Sequence, residues 1–262
     1  MRRFSAAYLR DTRRGLWEDR DALSELRLDD VGRALDVGCG TGSLTDVLRE
    51  ETGGEVVGLD ADRDLLGDAD PPVVAGDATG LPFPDGVFDL VACQALLINL
   101  PDPTAAVREF ARVATDRVAA VEPDNGAVAV ESTVNAESAL ARRAREAYAA
   151  GVPTDVALGA DARDCLADAG LEDVRVESHY HTRTIEPPYG EAALESARRK
   201  VEGSRLADAR ETLLAGGMGE SEYEALRSDW QSMGRAVVEQ MRAERYRRVE
   251  VVPFYVAVGE VP

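Results

Sequence analysis

The chain has 262 residues, 45% of them hydrophobic, and 49 acidic side chains against 30 basic ones give a formal net charge of −19. This length predicts one α/β domain with an elaboration, and no stretch approaches the roughly 18 consecutive apolar residues of a membrane span. Cys39, Cys93 and Cys165 are the three cysteines; they lie far apart without C-x-x-C spacing, so neither a disulfide framework nor a metal site is expected.

The acids are spread along the chain, and Lys200 is the only lysine. This pattern predicts a protein adapted to concentrated salt, as in haloarchaea, where a Debye length of roughly 3 Å near 1 M screens self-repulsion. A GC-rich genome accounts for the missing lysines but less well for the surplus acids. No basic stripe is present for phosphate contacts, which counts against a nucleic-acid partner. Residues Met1–Tyr8 lack the apolar stretch of a secretory signal, so cytoplasm is the expected location.

Residues 5–28 read as an N-terminal helix with an interrupted apolar stripe at Tyr8, Leu9, Leu16, Trp17, Leu23 and Leu26. Residues 34–42, Ala-Leu-Asp-Val-Gly-Cys-Gly-Thr-Gly, form a short apolar run suited to a doubly buried strand, followed by three alternating glycines. Gly38, Gly40 and Gly42 allow a tight turn and close approach of a ligand. The helix opening at Ser43 would point its amides at that ligand. A dinucleotide fingerprint requires G-x-G-x-x-G, and Ser43 stands at its third position.

A second strand, Glu55–Asp60, ends in a carboxylate suited to ribose hydroxyls. A third runs through Val73–Ala78, and the block Leu81-Pro-Phe-Pro-Asp-Gly-Val-Phe-Asp-Leu-Val-Ala-Cys93 holds a fourth, with Cys93 and Gln94 just after it. Pro101-Asp102-Pro103 opens a helix, and Val118–Pro123 is a fifth strand ending in Glu-Pro.

With Asp36 ahead of the glycines, the D-x-G-x-G-x-G run resembles motif I of class I S-adenosylmethionine-dependent methyltransferases. The Gly76-Asp77-Ala78 and Leu81–Val91 segments resemble that superfamily's GDA and LPFPDGSFDLV pattern, in its type 11, UbiE-like small-molecule branch. The resemblance is dense over residues 33–125. It implies a Rossmann-like α/β fold: a seven-stranded, mostly parallel sheet with an antiparallel last strand, helices on both faces and a helical cover. It implies S-adenosylmethionine as cofactor, held by Asp36, Gly38, Cys39, Gly40, Asp60, Ala61, Asp77, Ala78, Cys93 and Gln94. Asp77 would accept the adenine amino group, while Cys93 and Gln94 would line the methionine end. In relatives an N-terminal helix closes over the cofactor, which would bring Tyr8, Arg10 and Arg13 near the methionine carboxylate or a substrate; simple packing of Tyr8 and Trp17 competes with this.

The expected organisation is a helical cover over 1–30, a core over 31–189, a helical insertion acting as substrate lid over 190–246, and a last core strand over 247–262. Helices are expected over 135–150, 161–169, 190–214 and 221–245, with a sixth strand at 171–183 and the last at 249–259. Candidates on the acceptor side are Tyr8, Asn99, Glu122 and His181. Glu122, with Asp124 and Asn125, stands at the mouth of the site, either to deprotonate a nucleophile or to cap a turn. Asn99 stands where relatives often carry histidine. His179 and His181 share one strand face, for a metal (though no third ligand of matching type is nearby), for acid/base or substrate contact, or for ordinary packing or exposure.

The reading is methyl transfer from S-adenosylmethionine to an unidentified small-molecule acceptor, with no catalytic residue assigned and a homodimer left open. The alternatives are an RNA or protein methyltransferase and a non-catalytic cofactor-binding protein.

Overall fold

A computed structural model describes residues 4–13, 15–18 and 20–262. Residues 1–3, Arg14 and Asp19 of the expected N-terminal cover lie outside the described residues. The chain divides into two compact units: Met1–Asp124 with Leu158–His179 and Pro253–Pro262, and Asn125–Ala157 with Tyr180–Val252.

The first unit opens with α1 (Ala6–Arg13). The expected helix over 5–28 does not continue. Gly15 has a φ of +73°, and the chain resumes as two 3-10 segments, Asp21–Leu26 and Leu28–Asp30, separated by Arg27 in the left-handed region. The apolar stripe is nevertheless used, since Leu9, Trp17, Leu23 and Leu26 are all buried.

Strands and helices then alternate: β1 (Arg33–Val37), α2 (Ser43–Thr52), β2 (Glu55–Asp60), the short α3 (Arg63–Leu66) and β3 (Val73–Ala75). They are followed by β4 (Phe88–Gln94), α4 (Pro103–Val113) and β5 (Ala114–Pro123). α4 starts at Asp102, whose carboxylate accepts from the Ala105 amide at 2.9 Å, with Pro103 in the first turn.

β1 pairs in parallel with both β2 and β4, β2 with β3, and β4 with β5. The succession therefore runs outward from β1 to β3, then restarts on β1's other side, so the order reverses between β1 and β4. Open α/β sheets bind ligands at the strand ends of such a reversal. Period-two alternation in β1 sends Leu35 and Val37 into one apolar cluster and Ala34 into another, so both sheet faces are covered.

The second unit holds α5 (Glu137–Gly151) and β6 (Ala129–Ser132), the latter antiparallel to the start of β8 (Arg248–Glu260). α6 (Ala162–Asp168) returns to the first unit, and β7 (Glu172–Ile185) runs beside β8 from the first unit into the second. The later part of β8 pairs antiparallel with β5. β6 was not expected; with it the sheet has eight strands among the described residues, one more than expected.

The expected helix over 190–214 is three pieces, α7 (Glu191–Glu202), α8 (Ser204–Asp208) and α9 (Arg210–Ala215). α7 stops at Gly203, whose φ of +66° leaves the helical region. α10 (Glu220–Arg242) replaces the helix expected over 221–245.

The units differ from the expected division, because α5 joins the later helices rather than the core. Gly151 and Gly216 allow this: a Cβ at Gly151 would lie 1.8 Å from the Thr212 carbonyl oxygen, and one at Gly216 would lie 2.2 Å from that of Ala147. The unit's apolar core includes Leu140, Leu206, Leu213, Leu226 and Val237. Among the described residues no helix is long and apolar enough to cross a membrane.

Candidate active site

The glycine loop follows β1 at the order reversal. Gly38, Gly40 and Gly42 have φ of +73°, +56° and +87°, a region side chains strain to adopt. Space demands glycine as well. A Cβ at Gly38 would lie 2.8 Å from a Leu96 methyl, and one at Gly40 would lie 2.9 Å from a Leu9 methyl. The amides of Gly38 and Cys39 both donate to the Leu59 carbonyl, at 2.7 and 3.0 Å, tying the loop to the end of β2.

Asp60 closes that tie. Its Oδ2 accepts from the Gly40 amide and its Oδ1 from the Asp62 amide, each at 2.8 Å. A carboxylate has about four acceptor positions, so the half-buried group keeps capacity for a pair of hydroxyls while its orientation is fixed. Ala61 follows it, exposed. Asp77 is exposed and uses Oδ1 for both the amide and hydroxyl of Thr79, at 2.8 and 2.7 Å; these bonds hold its carboxyl below the usual range. Ala78 beside it is buried.

Asp36 is fully buried and accepts from the Thr45 hydroxyl at 2.6 Å through Oδ2, while Oδ1 has no partner among the described residues. Burial pushes its pKa up to about 6, against the Thr45 bond and the charge of Arg13. Cys39 and Cys93 are also buried, and burial first, then neighbouring carboxylates, raises both thiols. They stay un-ionised and serve as small space-fillers. Gln94 is 4% exposed, and its Oε1 has no partner among the described residues.

α1 lies over the loop through Leu9 and Arg13, one turn apart on one face. Arg13 donates to the Gln94 carbonyl at 3.3 Å. Burial lowers its pKa, while Asp36, Asp60, Cys39 and Glu122 all favour the charged form. Tyr8 is not brought to the same place: it is 46% exposed and stacks on Phe4 with ring centroids 5.3 Å apart. Arg10 pairs with Asp68 on the surface.

Glu122 is fully buried. Its Oε1 accepts from the amides of Leu96 and Leu97 at 3.0 and 2.8 Å, its Oε2 from Ile98 at 3.3 Å, and Cys93 Sγ lies 3.8 Å from Oε1. Burial raises it to about 7 against those bonds. Of the two roles open for this residue, the geometry is that of a cap: the carboxylate holds the turn after β4, where Ala95 has a φ of +49°. Asn99 ends that turn. Its Nδ2 donates to the Ala95 carbonyl at 2.7 Å, and its Oδ1, in a residue 6% exposed, has no partner among the described residues.

Asn125 is committed to the Val156 carbonyl in the second unit. His179 stacks on Phe254 in the first unit with ring centroids 5.5 Å apart, and His181 belongs to the second unit. Among the described residues no group of three His, Cys, Asp or Glu side chains is placed to hold a metal ion.

Three supports were not singled out from the sequence. Thr45 holds Asp36, Leu9 sits on Gly40, and the Glu109–Arg112 pair fixes the 81–85 block. Glu109 accepts from the Leu81 amide, while Arg112 donates to the carbonyls of Leu81 and Phe83 and to Asp85. An acid and an arginine three apart on α4 were the only local signal.

Residues 35–121 match the family described as methyltransferase domain. Over those residues the chain is similar to a methyltransferase domain. Over 107 residues it is 37% identical to a demethylmenaquinone methyltransferase of Anoxybacillus flavithermus, covering 36% of this chain and 45% of that enzyme. Over 185 residues it is 29% identical to that of Shouchella clausii, covering 61% and 79%. The chain spans about half the length of most curated relatives it matches. A crystal structure from Bacillus halodurans C-125 shares the fold with a TM-score of 0.52 and 18% identity, over 92% of this chain and 99% of that one. The YcgJ protein of Bacillus subtilis does so with a TM-score of 0.50 and 16% identity, over 91% and 97%.

The residues fit S-adenosylmethionine at Asp60, which is held by backbone amides with acceptor capacity to spare.

Proposed function

We propose that this chain transfers the methyl group of S-adenosylmethionine to a small-molecule acceptor. The observation that carries the reading is Asp60, oriented by the amides of Gly40 and Asp62 at the end of β2 beside a glycine loop too tight for side chains. In this reading Asp60 takes the ribose hydroxyls and Gly38 and Gly40 admit the cofactor to the backbone. Ala61, Asp77 and Ala78 serve the adenine end, and Asp36, Cys39, Cys93 and Gln94 serve the methionine end.

Bound S-adenosylmethionine supplies a methyl already activated on a sulfonium. The chain's own task is to align the acceptor and exclude water. Among the acceptor-side candidates the geometry favours Asn99, whose buried Oδ1 is an open hydrogen-bond acceptor. Glu122 acts as the clamp of its turn, Tyr8 and His181 stay secondary candidates, and no general base is assigned. The surplus of acids supports a halophilic protein, and the cytoplasm is its proposed location. The lid role of residues 190–246 is tested by hydrogen exchange: slowing there on adding cofactor supports it, whereas dependence on protein concentration alone favours a homodimer interface.

The experiment is incubation with methyl-labelled S-adenosylmethionine and a metabolite extract, read by mass spectrometry. Label in a small molecule supports the reading, label in RNA or protein favours the macromolecular alternatives, and binding without turnover favours a non-catalytic protein.

A further inference from the structure

The second unit holds a cavity of about 500 Å³ between α7 and α10, inside the roughly 300–1,000 Å³ range of small-molecule sites. The two helices cross closely at Gly234, where a Cβ would lie 2.6 Å from backbone atoms of Lys200 and Val201. From that crossing the cavity extends toward the start of α7 and the end of α10. Ala197 and Leu194 line it from α7, Val238 and Met241 from α10, and Tyr189 from the preceding turn. Tyr189 gives its hydroxyl proton to the Tyr246 carbonyl at 3.1 Å, so this wall offers a ring rather than a donor. Exposure grades along α7, from 3% at Ala197 to 53% at Leu194, marking floor and mouth.

The rim carries one uncommitted charge. Arg198 is held by Glu195 and Glu202 at 2.7 and 2.8 Å. Arg242 also lines the cavity and is exposed, and its guanidinium makes no ion pair or hydrogen bond among the described residues. In a chain of net charge −19, an unpaired cation beside an apolar concavity complements a ligand with an apolar body and one anionic end. The space is concave and of small-molecule size, which favours such a ligand over a second copy of the chain.

We propose that this cavity is a binding site for an amphipathic small molecule, an unbranched apolar chain ending in a carboxylate, with the chain against Ala197, Val238 and Met241 and the carboxylate at Arg242. The site is independent of the glycine loop, so it stands or falls apart from the methyl-transfer reading.

The test is calorimetric titration of the full chain with dodecanoate below its micelle threshold. One saturable site is expected. Octanoate should bind at least tenfold more weakly, since each methylene contributes about threefold, and dodecan-1-ol at least fivefold more weakly. Ala197→Trp fills the floor and should abolish binding. Leu194→Glu, at the exposed mouth where the fold is indifferent, should weaken dodecanoate about tenfold and dodecan-1-ol little. Arg242→Gln should erase the preference for acid over alcohol. Absence of saturable binding, affinity indifferent to both Ala197→Trp and Leu194→Glu, or equal binding of acid and alcohol by the unmodified chain would overturn the proposal. So would sedimentation showing a dimer that Leu194→Glu dissociates.

Discussion

The amide of Gly40 donates to Oδ2 of Asp60 across 2.8 Å, joining the loop after β1 to the end of β2. One hydrogen bond thus fixes both the backbone a cofactor must approach and the carboxylate that would receive its ribose. Gly40→Ala tests how much the loop tolerates. The φ of +56° and the Leu9 methyl 2.9 Å from the new Cβ predict a loss of about 1–2 kcal/mol in stability. Thermal melting should show it, together with a drop in cofactor affinity of tenfold or more by calorimetry.

Glu122 predicts a pH dependence of the opposite sign to an ordinary salt-bridged acid. Its folded pKa, about 7, lies above its ordinary value of 4.5. The folded state therefore binds more protons between those values, and this group's contribution to stability falls as pH rises through that window. Urea unfolding from pH 4.5 to 7 should show a shallower decline in Glu122→Gln than in the unmodified chain. Glu122→Ala strands the amides of residues 96–98 and should cost on the order of 3 kcal/mol.

The sequence made the strand ends legible because doubly buried parallel strands must be short apolar runs. Asp60 and Gln94 end two of them, and Asp36 and Glu122 stand one residue before the end of two more. Glu122 itself was legible only as a residue at the mouth of the site. The amides it caps lie 24–26 residues away, and no local pattern announces such a bond. The apolar stripe runs on from Leu9 to Leu26, so nothing in its period announced that Gly15 and Arg27 break the helix there. β6 is four residues long with no strand signature, and the attachment of α5 to the later helices depends on Gly151 and Gly216 meeting far along the chain.

In the second unit, buried Glu137 is ion-paired with Lys200 at 2.7 Å and Arg248 at 3.2 Å and accepts from Ser132 and Tyr246. Burial opposes its ionisation, but these partners outweigh it and hold its pKa below the ordinary value. Its contribution is thus present above the unfolded pKa and lost as pH falls through the folded one. Lys200→Met leaves the carboxylate short of one partner and should cost roughly 3 kcal/mol, read as a lowered denaturation midpoint at pH 7 that narrows on acidification.

The charge of −19 predicts that molar KCl raises the melting temperature and that dilution into low salt loosens the fold, because screening relieves self-repulsion. A melting temperature flat or falling from low to molar salt would count against salt adaptation.

The central claim, that the glycine loop and Asp60 together bind S-adenosylmethionine, is tested most directly by calorimetric titration of the cofactor into the unmodified chain and into Asp60→Ala. The account predicts saturable one-site binding, weakened roughly ten- to hundredfold by the substitution, as expected for losing about 1–3 kcal/mol of hydrogen bonding to the ribose. Equal affinity in the two proteins, or no binding to the unmodified chain, would contradict it.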